Sequence, residues 1–217
     1  MNWDMVDPNT NGEYRFLESI AKDLNVAFDI GANVGDYCVK LRDYNPSCKI
    51  FAFEPIQDHC EIIRRKGFTV LPVAVGRCPG TVTINRNVRI PALSSIHIAN
   101  ENTVPLRVSL ESIDDLIEQG KVEVSGTALM KIDTEGNDVN VLDGAIKTLL
   151  HGRFKYIQFE YGECYKYAGA TLERAFEILI DCGYLVYHVA ANELMPCPRF
   201  LAEYEVFRYS NWVAIRG

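Results

Sequence analysis

Four short apolar runs in this chain end on an acid, and those acids are where chemistry could begin. Val26-Ala27-Phe28 stops at Asp29, Ile50-Phe51-Ala52-Phe53 at Glu54, Leu129-Met130-Lys131-Ile132 at Asp133, and Tyr156-Ile157-Gln158-Phe159 at Glu160. A carboxylate within reach of a hydroxyl can take its proton as a new bond forms, and Asp133, Glu135 and Glu160 are the candidates for that work. Asp133, at the end of a central run, is assigned first to cofactor binding or the reaction centre, and Glu135, two residues further out, suits the general base. Lys131 alternates with Ile132 and can lower the pKa of a neighbouring acid by pairing with it.

Asp29 leads into Gly31-Ala32-Asn33-Val34-Gly35, a turn between a buried strand and a helix, as at a nucleotide site. Glycine there lets a ligand approach the main chain closely. A dinucleotide fold reads G-x-G-x-x-G and seats a pyrophosphate on the helix N-terminus. This turn reads G-x-x-x-G, and Asp29 would repel a pyrophosphate while suiting a ligand with a free ammonium and no phosphate. S-adenosylmethionine is such a ligand. Glu54, about 20 residues beyond the glycines, is placed to accept hydrogen bonds from both ribose hydroxyls. Asp29, Gly31, Asn33, Gly35, Glu54 and Asp133 therefore form the candidate cofactor set.

The elements that must carry these residues follow from periodicity. A leading helix over about 12–24 is predicted, then a strand at 26–29, a helix at 36–44 closed by Asn45-Pro46, and a strand at 49–54. Pro55 opens a helix with Ile56, His59, Cys60 and Ile63 inward, followed by a strand at 69–75. Residues 80–85 and 104–109 alternate as strands, and 110–119 reads as a short helix. Residues 87–103 show no sustained period, and a loop of that length is usually functional, so Arg89 and His97 are candidate substrate contacts. A buried strand at 128–133 precedes one helix carrying Val139, Leu142, Ile146, Leu149 and Leu150. A strand at 156–161 and a helix capped by Thr171 follow, and runs at 184–189 and 211–215 pair as terminal strands. Tyr161, Tyr165 and Tyr167 either stack on the apolar face of a sugar or roof the pocket. Such alternation specifies an α/β fold with a mainly parallel sheet and helices on both faces. The strand ends Asp29, Glu54, Val75, Asp133 and Glu160 then share the edge where ligands bind.

Composition narrows the setting. At 217 residues with 48% hydrophobic content, one domain over residues 1–217 is the expectation. A net charge of -7 argues against nucleic acid as a partner, since a phosphate backbone demands a basic surface. The seven cysteines show no C-x-x-C pair, so they read as free thiols in a reducing, cytoplasmic setting. There is no membrane span, no secretory leader and no zinc spacing. A calcium loop is unsuited too: Asp133, Glu135 and Asn137 offer oxygens, but an EF-hand requires glycine where Asp138 stands. His59 and His188 read as packing residues; no metal ligands are assigned, and the alternative is a divalent metal that aids a hydroxyl acceptor, with Asp133 and Glu160 as its ligands.

Taken together, Phe28 to Gly35, Phe53-Glu54-Pro55, and Lys131-Ile132-Asp133-Thr134-Glu135-Gly136-Asn137-Asp138 followed by Val141-Leu142-Asp143-Gly144-Ala145 resemble the FkbM-type family of class I S-adenosylmethionine-dependent methyltransferases. Asn11-Gly12-Glu13 and Val73-Ala74-Val75-Gly76 also fit, which adds Val75 to the cofactor residues; Arg77-Cys78-Pro79 departs from the pattern's smaller or acidic residues. The resemblance implies a Rossmann-like, seven-stranded, mostly parallel sheet with a reversed last strand. It also implies methyl transfer to an oxygen, often a sugar or glycan hydroxyl. The expected acceptor is therefore a small molecule or glycan, and the chain is compatible with being part of a longer glycan-modifying polypeptide. Two rival readings stand beside it: methylation of a polyketide, lipid or phenol hydroxyl, and a non-catalytic nucleoside-binding domain that supports a partner enzyme.

Overall fold

A computed structural model describes residues 4–90 and 93–217 of the chain, so positions 91 and 92 of the predicted 87–103 loop lie outside it. The first half runs α1 (Glu13–Ala21), β1 (Val26–Ile30), α2 (Asp36–Tyr44), β2 (Lys49–Phe53), α3 (Gln57–Arg65), β3 (Thr69–Leu71), β4 (Ala74–Val75), β5 (Gly80–Asn87) and β6 (Thr103–Glu111). The second half runs α4 (Ile113–Glu118), β7 (Ala128–Ile132), α5 (Asp138–Asp143), α6 (Ile146–Leu150), β8 (Tyr156–Tyr161), α7 (Glu163–Ala168), α8 (Leu172–Asp181), β9 (Tyr184–Val189), β10 (Leu194–Cys197), a 3-10 turn (Ala202–Tyr204) and β11 (Ser210–Arg216).

The main sheet has the order β10-β9-β11-β8-β7-β1-β2-β3. Strands β3, β2, β1, β7 and β8 are mutually parallel, while β11 runs antiparallel to both β8 and β9. The seven predicted strands with a reversed last one are thus present, and an eighth, β10, extends the edge as a hairpin partner of β9. A three-stranded sheet, β4-β6-β5, stands beside it.

Strand alternation divides the interior in two. Val26, Phe28 and Ile30 of β1 join one apolar cluster with Phe53, Leu142, Phe176 and Trp212, covered by α4, α5, α6 and α8. Ala27 joins the other, with Phe16 and Leu17 of α1, Cys38 and Leu41 of α2, and Ile63 of α3. Helices therefore cover both faces, and the middle strands β1 and β7 are buried along their whole length.

Three predicted elements need correction. The strand at 69–75 is two strands in two sheets: Pro72 has no N–H for a ladder, and the chain turns there, Val73 N–H donating to Leu71 C=O at 2.9 Å. The long helix after β7 is two short ones. Between them Gly144 packs so tightly that a Cβ would lie 2.0 Å from Gly76 O. The helix at 110–119 begins only at Ile113, because Leu110 and Glu111 belong to β6 and Ser112 caps the helix by accepting from Asp115 N–H. Among the described residues, no helix is long and apolar enough to cross a membrane.

Candidate active site

The geometry begins at the turn after β1. Gly31 has φ 82°, and a Cβ there would lie 1.8 Å from Asp133 O, so only glycine lets the ends of β1 and β7 meet. The same junction is tied by Asp133 N–H to Ile30 O at 2.9 Å and by Gly31 and Ala32 N–H to Phe53 O at 3.0 and 3.1 Å. Asn33 takes φ 49° and donates its N–H to Glu54 Oε2 at 2.9 Å, while Ile56 N–H donates to Glu54 Oε1 at 2.8 Å. One carboxylate thus fixes two loops, His59 Nδ1 lies 3.6 Å from its Oε1, and each oxygen has a lone pair beyond the one its amide takes. Asn33 Oδ1 is buried without a hydrogen-bond partner among the described residues.

Two cavities meet at Gly31, Asn33 and Asp133. The first, about 590 Å³ including its open mouth, has apolar walls from Phe53, Ile56, Val75, Ile84 and Ile96 around Glu54 and Glu135. The second, about 610 Å³ on the same measure, is lined by Glu13, Asp29, Asp36, Lys131, Glu160 and Tyr209. Register explains its polarity. Asp29 pairs with Lys131, Lys131 with Gln158, and Glu160 with Asn211, so all these side chains emerge on the α1–α2 face of the sheet.

Within the second cavity Lys131 Nζ bonds Asp133 Oδ2 at 2.7 Å. Gln158 donates to Glu13 Oε1 and accepts from Tyr37 OH, both at 2.9 Å. Tyr209 OH donates to Glu160 Oε1 at 3.0 Å and accepts from Asn211 Nδ2 at 3.2 Å. Cys38 Sγ lies 3.0 Å from Asp29 Oδ2.

Burial favours the neutral form of Glu13, Asp29 and Glu160. It raises the pKa of Glu13 and of Asp29, partly opposed by Lys131. Glu160 is pushed well above the usual carboxylate range, by burial first and then by the Asp133 charge. Glu135 is pushed up to about 8 by burial and by Asp133 and Asp138, and Asp138 to about 7 by burial and Asp133. Burial alone would lower Lys131, but Asp133, Glu13, Glu160 and Asp29 outweigh it, so the ammonium is held well above its ordinary value.

Asp29, Gly31, Asn33, Glu54, Val75, Lys131, Asp133, Glu135 and Glu160 therefore come together. Others do not. Gly35 lines neither cavity; it caps α2 with φ 81° against Ile63. Arg89 is exposed in the β5–β6 connection and lines neither cavity. His97 lines a third hollow with Asn137 and Leu110, adjoining the first cavity at Ile96. The stacking role expected of Tyr161 and Tyr165 is corrected: both are fully buried in the core. Tyr161 follows Glu160 on β8 and so points to the opposite face, where its hydroxyl donates to Glu205 Oε1 at 2.7 Å. Sequence reasoning missed Tyr209 and Gln158, which only the pairing of β11 and β7 with β8 brings to the site. Among the described residues, no group of three or more His, Cys, Asp or Glu could hold a metal ion.

A family model described as the methyltransferase FkbM domain matches residues 29–186, more than half of the chain. Hexuronic acid methyltransferase AglP of Haloferax volcanii is 27% identical over 154 residues, which cover 68% of this chain and 61% of that protein. The chain thus spans less than two thirds of the curated relative's length. A solved FkbM methyltransferase from Methylobacillus flagellatus superposes with a TM-score of 0.57 at 14% identity, covering 88% of this chain and 44% of that one. A precorrin-6y C5,15-methyltransferase from Geobacter metallireducens gives 0.51 at 14% identity, over 94% and 88% respectively. These two likenesses show the fold.

Proposed function

Since the chain belongs to the FkbM methyltransferase family, with the Rossmann-like class I fold and S-adenosylmethionine as cofactor, we propose that it methylates a hydroxyl of a sugar or glycan. The residues fit that cofactor. Glu54, among apolar walls, would offer lone pairs to ribose hydroxyls, Asn33 Oδ1 would accept from the same ligand, and Val75 would supply apolar surface for the base. On the other side of Gly31, Asp29 offers a negative group to the amino acid moiety.

When bound, S-adenosylmethionine supplies a methyl carbon on a cationic sulfur, which keeps the C–S electron pair as the acceptor oxygen attacks. The chain's residues align that oxygen opposite the sulfur and accept its proton. Asp133, common to both cavities, marks the reaction centre, and Lys131 holds its carboxylate in place. Glu135, favoured from the sequence as base, lines the cofactor-side cavity, whereas Glu160 lines the other beside Lys131. We therefore assign the proton to Glu160, whose raised pKa makes it the stronger base once ionised. His97 lines the hollow beside the cofactor-side cavity and does not line the Glu160 cavity.

The observation that carries this reading is the meeting, at Asp133, of an apolar-walled cavity that holds Glu54 and a cavity lined by acids and Lys131. A sugar acceptor is supported by the name of the Haloferax volcanii relative. Methyl transfer to neutral glycosides, uronic acid glycosides and phenols, with products read by mass spectrometry, tests it. A base-stable methyl ether on a glycoside is expected; transfer to the phenols alone would overturn the sugar assignment.

A further inference from the structure

Tyr209 belongs to no sequence motif, yet it reaches the second cavity from the last strand's approach, 49 residues beyond Glu160. The pairing of Asn211 with Glu160 puts Tyr209, two residues earlier, on the same face. Asn211, 2% exposed, donates to the Tyr209 oxygen, so the phenol's lone pair is engaged and its proton is directed at Glu160 Oε1. The Tyr209 carbonyl is held as well, accepting Asp4 N–H at 2.9 Å. No protein donor is found for Glu160 Oε2 among the described residues. A carboxylate with one oxygen satisfied and the other unengaged is oriented in the way a proton acceptor needs.

We propose that Tyr209 is the positioning residue of the methyl transfer. Its hydroxyl occupies Glu160 Oε1, leaves Oε2 for the acceptor proton, and is itself aimed by Asn211. This rests on the reading of Glu160 as proton acceptor. The other ionisable groups acting on Glu160 are Lys131 and Asp133 from β7, Glu13 from α1 and Glu135 from the loop after β7. A hydroxyl that donates to a carboxylate stabilises its charged form. Removing it therefore raises the pH at which Glu160 loses its proton, and activity that needs the ionised form appears later.

The test is Tyr209→Phe, with kcat and donor KM followed across pH on a glycoside that the wild type methylates. The expectation is a loss of about tenfold in kcat, donor KM within about twofold, and an acid limb moved up by about one pH unit. Replacing Tyr209 by 3-fluorotyrosine keeps the ring in place and strengthens the donor, so the limb should move down. In a Glu160→Gln background Tyr209→Phe should cost nothing more. An unmoved limb in both tyrosine variants, or a Tyr209→Phe loss that persists in full in the Glu160→Gln background, overturns the proposal. If the wild type methylates no glycoside, the sugar reading fails instead. The Glu160 carboxyl carbon, titrated by NMR with S-adenosylhomocysteine added, still decides this proposal: its midpoint must rise in Tyr209→Phe.

Discussion

The two cavities that meet at Asp133 are built by different rules. The cofactor-side wall comes mostly from the glycine turn, Glu54 and the strand ends beside them, with apolar surfaces and a carboxylate whose two oxygens already hold backbone amides. The Glu160 side draws on α1, β1, β7, β8 and the approach to β11, and it packs several acids around one ammonium. The first is a preformed binding surface, its polar group fixed by the main chain. The second stores electrostatic tension, since burial and like charges keep its acids from ionising freely. Asp29 and Asp133 aside, recognition and chemistry are thereby separable: loss of Glu54 should appear in donor affinity, loss of Glu160 in turnover.

The sharpest break of that contrast is Glu160→Gln, which keeps the shape and removes the base. Turnover should fall about a hundredfold to a thousandfold, while calorimetry finds donor affinity within about twofold. Glu54→Ala should do the reverse, weakening donor binding by about tenfold to a hundredfold through lost ribose hydrogen bonds. A donor titration that leaves Glu54→Ala indistinguishable from wild type would refute the division of labour. Because Glu54 also ties the Asn33 and Ile56 amides, its melting temperature should drop by a few degrees as well.

The smallest effect concerns Glu135, on the boundary between the two. Its pKa is raised from 4.5 to about 8 in the fold, so the protonated form is favoured there. The folded state then binds more protons than the unfolded chain between those values, and stability is lost as pH rises from 4.5 towards 8. Glu135→Gln should therefore raise the melting temperature of the cofactor-free protein at about pH 8, with little change near the acid end of that range. A uniform shift at both pH values would show that the group's charge is not the cause.

Much of this was legible because it is local. The run of Phe28-Asp29-Ile30-Gly31 states strand, acid and turn within a few residues, and Thr171 marks a helix start by its own chemistry. Where reading failed, a distant partner intervened. Pro72 diverted a strand into a second sheet, and Gly144 broke a helix against Gly76. Tyr161 and Tyr165 followed the right strand but faced the core, where aromatic area is worth more buried than exposed.

By itself, then, the sequence determined the alternation of strands and helices, the glycine turn, and the acids at the strand ends, because each depends on residue type and short spacing. Only the tertiary structure decided which acids share a cavity, that Tyr209 joins them, and that Gln158 bonds Glu13 and Tyr37 of its lining. Those outcomes depend on the register of strands far apart in the chain, and register is set by burying both sheet faces at once, which no local stretch encodes.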